Sequence, residues 1–347
     1  MDGKMKAAVM TGKRQMVIEE RDIPQLKPDD VLVKIEYVGV CGSDLHFFKE
    51  GHIGDYIVDE PLVLGHESGG TIVEIGSNVK HLKVGDRVAL EPGVMCGECE
   101  LCKSGKYNLC ENLDFMAVPH QIDGAFCEYY AHPAKLCFKL PDNVSTMEGG
   151  LVEPLAVGLH AVNLSGAKMG QSAVVIGLGC IGLLTILSLK SAGIDEIYAV
   201  GHHEKNLKLA EKLGAVKVID SSKEAPLTFI KSLPGGGVDQ VYEAAGSEEA
   251  TLMSAKMIKR SGTVTLVGMC AEGEIKFDFG TLFSMEGRVL TIWRYRNLYP
   301  EAIKLISQGK IDVKQIVTHV FDFKDIIEGL NFNIDHKDEV IKAVIKM

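Results

Sequence analysis

The chain has 347 residues, 46% of them apolar and 24% charged, and a formal net charge of -10. That length allows two domains with complete cores, and the acidic balance argues against nucleic acid or an anionic membrane as partner, since both demand a basic face. The longest apolar runs, such as 173–176 and 181–187, fall far short of a membrane span, and residues 1–9 lack the apolar core of a signal peptide, so a cytoplasmic protein is expected.

In chain order, residues 1–9 predict a strand after a short polar lead. Residues 31–37 and 69–75 alternate as half-buried strands do, and Gly85-Asp86 turns the chain into a short strand at 87–90. This part reads as a small β body with long irregular loops. Near residue 150 the pattern changes. A buried strand at 172–176 leads through glycines into a small-residue helix ending near Lys190. Then come strand 196–200, helix 205–213, strand 217–219, and strands 238–243 and 263–267 with helical sequence between them. Strands alternating with helices predict a doubly wound parallel sheet, an α/β domain inserted into the β-rich one. Helices are expected again at 299–307 and 323–332.

Cys96, Cys99, Cys102 and Cys110 follow the spacing C-x2-C-x2-C-x7-C. Four thiolates so spaced can close around one tetrahedral Zn²⁺, a site without an open position and therefore structural. Disulfides fit poorly, because nothing suggests export and such small loops would strain the bridges. Cys127, Cys137, Cys180 and Cys270 stand alone in apolar surroundings and read as core residues.

Gly177-Leu178-Gly179-Cys180-Ile181-Gly182 is G-x-G-x-x-G after a predicted strand and opening a helix. In that setting the first glycine turns the chain, the second admits a pyrophosphate and the third packs helix on strand, so a dinucleotide is expected. After the second strand, where an NAD-binding chain carries Asp or Glu for the ribose hydroxyls, the sequence runs Gly201-His202-His203-Glu204-Lys205. A missing carboxylate removes repulsion against a 2′-phosphate, and His202, His203 or Lys205 could donate to one; the alternative is a solvated turn. NADP(H) is favoured over NAD(H).

Cys41-Gly42-Ser43-Asp44-Leu45-His46, Gly65-His66-Glu67-Ser68-Gly69 and Leu151-Val152-Glu153-Pro154-Leu155 together offer the mixed donors of a catalytic zinc, which keeps a position open. Taken in this order with the cysteine lobe and the glycine motif, they resemble the zinc-dependent medium-chain alcohol dehydrogenases. Segments 50–56 and 293–297 are most similar to the sorbitol/xylitol (polyol) dehydrogenase branch. The resemblance implies a GroES-like catalytic domain, residues 1–153 and 295–347 with the zinc lobe near 93–113, plus a Rossmann domain at 154–294, with the active site in the cleft between them. It implies two zinc ions per chain. Cys41, His66 and Glu67 would hold the catalytic one, with Glu153 ligating it or holding its water; which glutamate completes the shell stays open. Ser43 would pass the substrate proton toward solvent, with His46 as a further candidate for the relay. Arg294 and Tyr295 would bind the hydroxyls of a polyol or ketose, or else pair structurally at a domain seam.

Phe47 and Tyr56 are further candidates for the substrate pocket, Phe47 standing where the branch often carries Tyr. Asn206 stands where the branch often carries a cofactor-contacting Arg, and Gly201 where it carries an acid. The implied activity is oxidation of a secondary hydroxyl with hydride transfer to NAD(P)⁺. A 2,3-diol, a sugar-alcohol phosphate or L-threonine are the competing substrates, and a non-enzymatic zinc protein is the reading from another class. The same resemblance implies a homotetramer.

Overall fold

Parallel strands need a crossover of a dozen residues or more, whereas antiparallel neighbours need only a turn. The chain uses each kind in a different place. A computed structural model describes residues 3–270 and 274–347. Two compact units result: Met1–Glu153 with Tyr299–Met347, and Pro154–Leu298. The start of the expected N-terminal strand, Met1 and Asp2, lies outside the described residues.

The first unit is built on a largely antiparallel sheet of seven strands. Its main path runs Cys137–Lys139, Arg87–Leu90, Glu67–Ile75, Asp30–Gly39, Lys342–Lys346, Val317–Asp322, with Tyr129–Pro133 also pairing Asp30–Gly39. The final strand thus returns from the far end of the sequence to lie beside Asp30–Gly39, and Gly39 is opposite both Glu67 and Val344. Alternation in 31–37 had suggested a strand with one wet face. Val31, Leu32 and Val33 are instead all at 0% exposure, because the strand is central and the helix Thr146–Gly150 packs on the sheet. Nor are the intervening loops irregular throughout. Helices Gly42–Glu50, Glu100–Lys103 and Thr146–Gly150 interrupt them, and the expected helix at 323–332 is a tight turn, Phe323–Asp325, followed by helix Ile326–Asp335.

The second unit carries six parallel strands in the order Lys217–Asp220, Glu196–Gly201, Ser172–Ile176, Val238–Glu243, Ile258–Leu266, Arg288–Thr291. Every neighbouring pair is parallel, and the order reverses at Ser172–Ile176, the arrangement of a doubly wound dinucleotide fold. Val174, Val200, Ile219, Val241 and Val264 fill its core. Strand Ile258–Leu266 begins earlier than the expected Thr263, since Ile258 already pairs with Val238 before Ser261, at φ 60°, shifts the register. Cys127 and Cys137 are core residues as expected, whereas Cys180 and Cys270 are only half-buried. No helix among the described residues is long and apolar enough to cross a membrane.

Candidate active site

Cys41 immediately precedes helix Gly42–Glu50, and the helix's first turn brings Asp44 back toward it. Asp44 Oδ2 accepts a hydrogen bond from the Cys41 amide at 3.0 Å, and its Oδ1 accepts one from the Gly65 amide, also at 3.0 Å. The same Oδ1 lies 3.5 Å from His66 Nδ1. One carboxylate, 1% exposed, therefore fixes the backbone at Cys41 and Gly65 and orients the His66 ring. Burial acts to raise the Asp44 pKa but is outweighed by His66 and the two amides, which hold it below the usual carboxylate range. Burial acts to lower the His66 pKa, and the charges of Asp44 and Cys41 more than reverse it, leaving it well above the ordinary imidazole value.

The result is a compact donor set. Ligand atoms of Cys41, His66 and Glu67 all lie within 4.8 Å of one another. A soft thiolate, an imidazole and a carboxylate suit a zinc that keeps an open position. Glu153 falls outside this set; it is 6% exposed in the first turn of helix Val152–Ser165. Ser43 and His46, on the helix that follows Cys41, are both half-buried, and the His46 ring stands 6.3 Å from that of His52. Phe47 is 4% exposed within the hydrophobic core of the first unit, while Tyr56 is 42% exposed on the short strand Tyr56–Ile57.

The four lobe cysteines form a second set. Contacts of 3.4 Å (Cys110 to Cys96), 3.9 Å (Cys96 to Cys102) and 3.9 Å (Cys99 to Cys110) separate their sulfurs. Ligands about 2.3 Å from a tetrahedral zinc would be about 3.8 Å apart, so the spacing fits. Amides of Glu98 and Cys99 pull the Cys96 pKa down to about 6, favouring the thiolate that a metal needs.

The lobe is tied to the main sheet by a half-buried bond that no sequence motif announced. Tyr107, between the third and fourth cysteines, donates its hydroxyl to Glu91 Oε1 at 2.7 Å, and the Glu91 carbonyl lies 2.8 Å from His132 Nε2. Burial pushes the Glu91 pKa up to about 7. Burial likewise depresses His132 to about 4, so it stays neutral and donates. For Glu91 the folded protein holds its proton more tightly than the unfolded chain. Stability is therefore lost as pH rises from the ordinary carboxyl value through about 7. We expect Glu91→Gln, which keeps an acceptor for Tyr107, to be more stable than wild type at pH 8 by on the order of 2–3 kcal/mol and about equal to it at pH 5. Thermal melts of both proteins at the two pH values check this; an offset independent of pH would refute it.

In the second unit the three motif glycines have distinct surroundings. A Cβ on Gly177, which has φ +91°, would sit 2.5 Å from the Ala245 amide nitrogen, and one on Gly182 would sit 1.9 Å from the Gly177 carbonyl oxygen. A Cβ on Gly179 would meet nothing within 4 Å, leaving open space at the N-cap of helix Cys180–Ser191 for a pyrophosphate. Cys180 and Ile181 open that helix. At the end of the next strand Gly201 pairs in register with Asp220, which is held by Lys223 at 2.7 Å. The His202 and His203 rings are 4.0 Å apart, with His202 exposed, His203 half-buried and Lys205 exposed. Asn206 is turned inward, donating from Nδ2 to the Leu178 carbonyl at 2.9 Å. Tyr295 is 3% exposed, and Arg294, at φ 54°, lies over the Trp293 ring at 5.2 Å.

Residues 27–142 match the alcohol dehydrogenase GroES-like domain family, and residues 180–308 match the zinc-binding dehydrogenase family. Sorbitol dehydrogenase of Bacillus subtilis is 36% identical over 98% of this chain and 97% of its own length. The chain belongs to the zinc-dependent medium-chain alcohol dehydrogenases. Among solved structures of this family, 2R,3R-butanediol dehydrogenase from Bacillus subtilis superposes with a TM-score of 0.91 at 34% identity, covering 99% of each chain. A zinc-binding dehydrogenase from Sinorhizobium meliloti bound to NADP gives 0.88 at 30% identity, covering 99% of this chain and 100% of that one.

Asp44 and Lys342 are the two residues of the site that sequence reasoning passed over. Asp44 sits inside the quoted C-G-S-D motif, where its spacing from Cys41 is that of a capping pair. Lys342 has no local signal. Its ammonium lies 2.7 and 2.8 Å from the two Glu67 oxygens and 3.0 Å from the Val40 carbonyl, although it enters from the last strand of the chain.

Proposed function

We propose that this dehydrogenase oxidises a secondary hydroxyl of a linear polyol to a ketose, with NADP(H) preferred as its nicotinamide cofactor and two zinc ions per chain. The observation that carries the reading is the mixed donor set of Cys41, His66 and Glu67, in a chain whose other unit bears the open Gly179 cradle. Cys41 and His66, with Glu67 or Glu153, hold the catalytic zinc; the four lobe cysteines hold the structural one. When bound, the catalytic zinc lowers the pKa of a substrate hydroxyl, and the nicotinamide accepts a hydride from the same carbon. Asp44 keeps His66 oriented. Ser43 takes up the hydroxyl proton and passes it toward solvent, with His46 as the next station. Arg294 and Tyr295 offer hydrogen bonds suited to a polyhydroxylated chain. The missing acid at Gly201 and the neighbouring His202, His203 and Lys205 support NADP(H), as does the likeness to the NADP-bound dehydrogenase.

Assembly as a homotetramer is part of this reading. The six-stranded sheet ends on the strand Arg288–Thr291, and the helix before it leaves Phe279 and Phe283 exposed at 70% and 90%, apolar surface that a partner would cover.

The likeness to butanediol dehydrogenase favours a 2,3-diol as the second reading. A kinetic panel separates the two. Sorbitol and xylitol should exceed both 2,3-butanediol and ethanol in kcat/KM by roughly 10–100-fold, because a short chain offers fewer hydroxyls to the site's donors. Equal efficiency on ethanol and on the polyols would remove the polyol reading, and a clear lead for butanediol would replace it with the diol.

A further inference from the structure

We propose that Glu243 is a positioning residue for the nicotinamide half of the cofactor, its carboxyl bracing the turn 244–246 on which that half rests. The inference rests on the dinucleotide reading above and holds whether NADP(H) or NAD(H) is preferred. Numbered in chain order, the strands of the second unit run 3-2-1-4-5-6, the order of two mononucleotide-binding halves. The glycine motif and Gly201 follow the first and second strands, so the adenosine half belongs to that side. The other half lies over the carboxyl ends of Val238–Glu243 and Ile258–Leu266, beyond the point where the order reverses.

Glu243 is the last residue of the fourth strand, 1% exposed, and pairs in register with Ile176 on one side and Leu266 on the other. Its Oε1 accepts both the Ala245 and the Gly246 amides, each at 2.8 Å. Two adjacent amides on one oxygen bend the chain tightly, and Gly246 takes the positive φ, +65°, that the bend requires. The turn is then packed from two directions. The Ala245 nitrogen would stand 2.5 Å from a Cβ on Gly177, the first motif glycine, and the Gly246 nitrogen 2.3 Å from a Cβ on Gly268. The Glu243 carbonyl in turn accepts the Val267 and Gly268 amides at 2.7 and 2.8 Å. The turns after the first, fourth and fifth strands therefore meet around this one residue.

Stability alone does not call for a carboxyl here. Oε2 is shut from solvent and finds no hydrogen-bond partner among the described residues. An orphan of that kind is destabilising, and burial accordingly drives the Glu243 pKa up against the opposing pull of the two amides. Departures of this sort concentrate at functional sites. What the carboxyl supplies is a turn already held in shape before the cofactor arrives, so that binding loses less entropy in ordering it.

Calorimetric titration of the zinc-loaded protein with whole and half cofactors tests this. NADPH is compared with adenosine 2′,5′-bisphosphate, and NADH with AMP. Glu243→Met keeps the bulk of the side chain and removes the acceptor. We expect it to weaken both dinucleotides about tenfold, equivalent to 1.4 kcal/mol, and to leave both fragments within about twofold of wild type. Glu243→Gln, which keeps an acceptor for the two amides, should match wild type with all four ligands. A general loosening of the second unit would cost the fragments as much as the dinucleotides, so equal weakening would overturn the proposal. Unchanged dinucleotide affinity in Glu243→Met, or a Glu243→Gln that fails alongside it, would overturn it too. If Glu243→Met does not fold, Glu243→Asp, one methylene shorter, carries the same comparison. A wild type that binds neither dinucleotide would remove the cofactor reading itself, and this inference with it.

Discussion

Replacing His66 with alanine should abolish alcohol oxidation while leaving the first unit folded, and should remove one zinc per chain. The imidazole is one of three clustered donors, and zinc contributes several kcal/mol to stabilising developing negative charge. At 1.36 kcal/mol per tenfold, its loss costs a factor of about 10³ or more in kcat. The fold should survive because Asp44 keeps its bonds to the Cys41 and Gly65 amides, so the two ligand-bearing segments remain pinned together without the ring. What is lost in packing is the contact of the ring with Phe115, whose centroid is 5.4 Å away. Cys99→Ser should do the reverse. It breaks the closed thiolate set, while the serine hydroxyl can still accept the Cys102 amide as Cys99 Sγ does at 3.4 Å and keep the cap of the short helix Glu100–Lys103, so the loss falls on the metal. Structural zinc sites couple directly to folding, so a loss of ~3 kcal/mol, or roughly 6–12 °C in melting temperature, is expected. Metal analysis and thermal melts on the two variants separate the roles. A wild type that holds a single zinc, at the cysteine lobe, would remove the catalytic assignment.

What could be read in advance follows from how local each determinant is. Strands Arg87–Leu90 and Val238–Glu243 and helix Tyr299–Ser307 have the bounds that their apolar patterns suggested, because burial and turn residues punctuate them within the segment itself. The cysteine lobe was visible as a clustered donor type, since short spacings force cysteines into proximity whatever the surrounding fold; Cys41, His66 and Glu67, distant in sequence and gathered by the fold, were named together only through the resemblance of their motifs. Helix Gly42–Glu50 was missed because its motif lacks a helical apolar stripe; its own side chains Phe47 and Phe48, packed into the core of the first unit, hold it. Lys342 was illegible for a different reason. In Ile341-Lys342-Ala343-Val344-Ile345 a lysine looks like the wet face of an alternating strand. Only the register across Gly39 reveals that it points at a buried carboxylate. The same register argument accounts for Glu67, a donor that motif reading could name but whose engagement with Lys342 it could not.

The ratio of kcat/KM for NADP⁺ over NAD⁺ should fall by about 10²–10³ in Gly201→Asp, from two effects of one carboxylate. The new acid would accept charge-assisted hydrogen bonds from the adenosine ribose, each worth roughly 1.5–3 kcal/mol, or about 10–150-fold in affinity at 1.4 kcal/mol per tenfold. It would also repel a 2′-phosphate, which in the wild type faces no carboxylate at residue 201. The backbone accepts the change. A Cβ on Gly201 would lie 2.9 Å from Leu178 Cδ1 and 3.1 Å from its Cγ, so the Leu178 side chain must shift by a few tenths of an ångström to admit it. One acid already stands close by, since Asp220 pairs in register with Gly201. Hydrogen bonds from Lys223 and Ser222 hold its pKa down to about 2, so it is ionised, but its charge is met by the Lys223 ammonium at 2.7 Å and is poorly placed to oppose a phosphate. That leaves His202, His203 and Lys205, at the entrance to helix Glu204–Lys212, as the nearest candidate donors. His202→Ala combined with His203→Ala should then raise KM for NADP⁺ while leaving that for NAD⁺ unchanged. A wild-type ratio already favouring NAD⁺ would mean that Asp220 serves as the ribose acceptor from the neighbouring strand and that the paired histidines form only a solvated turn.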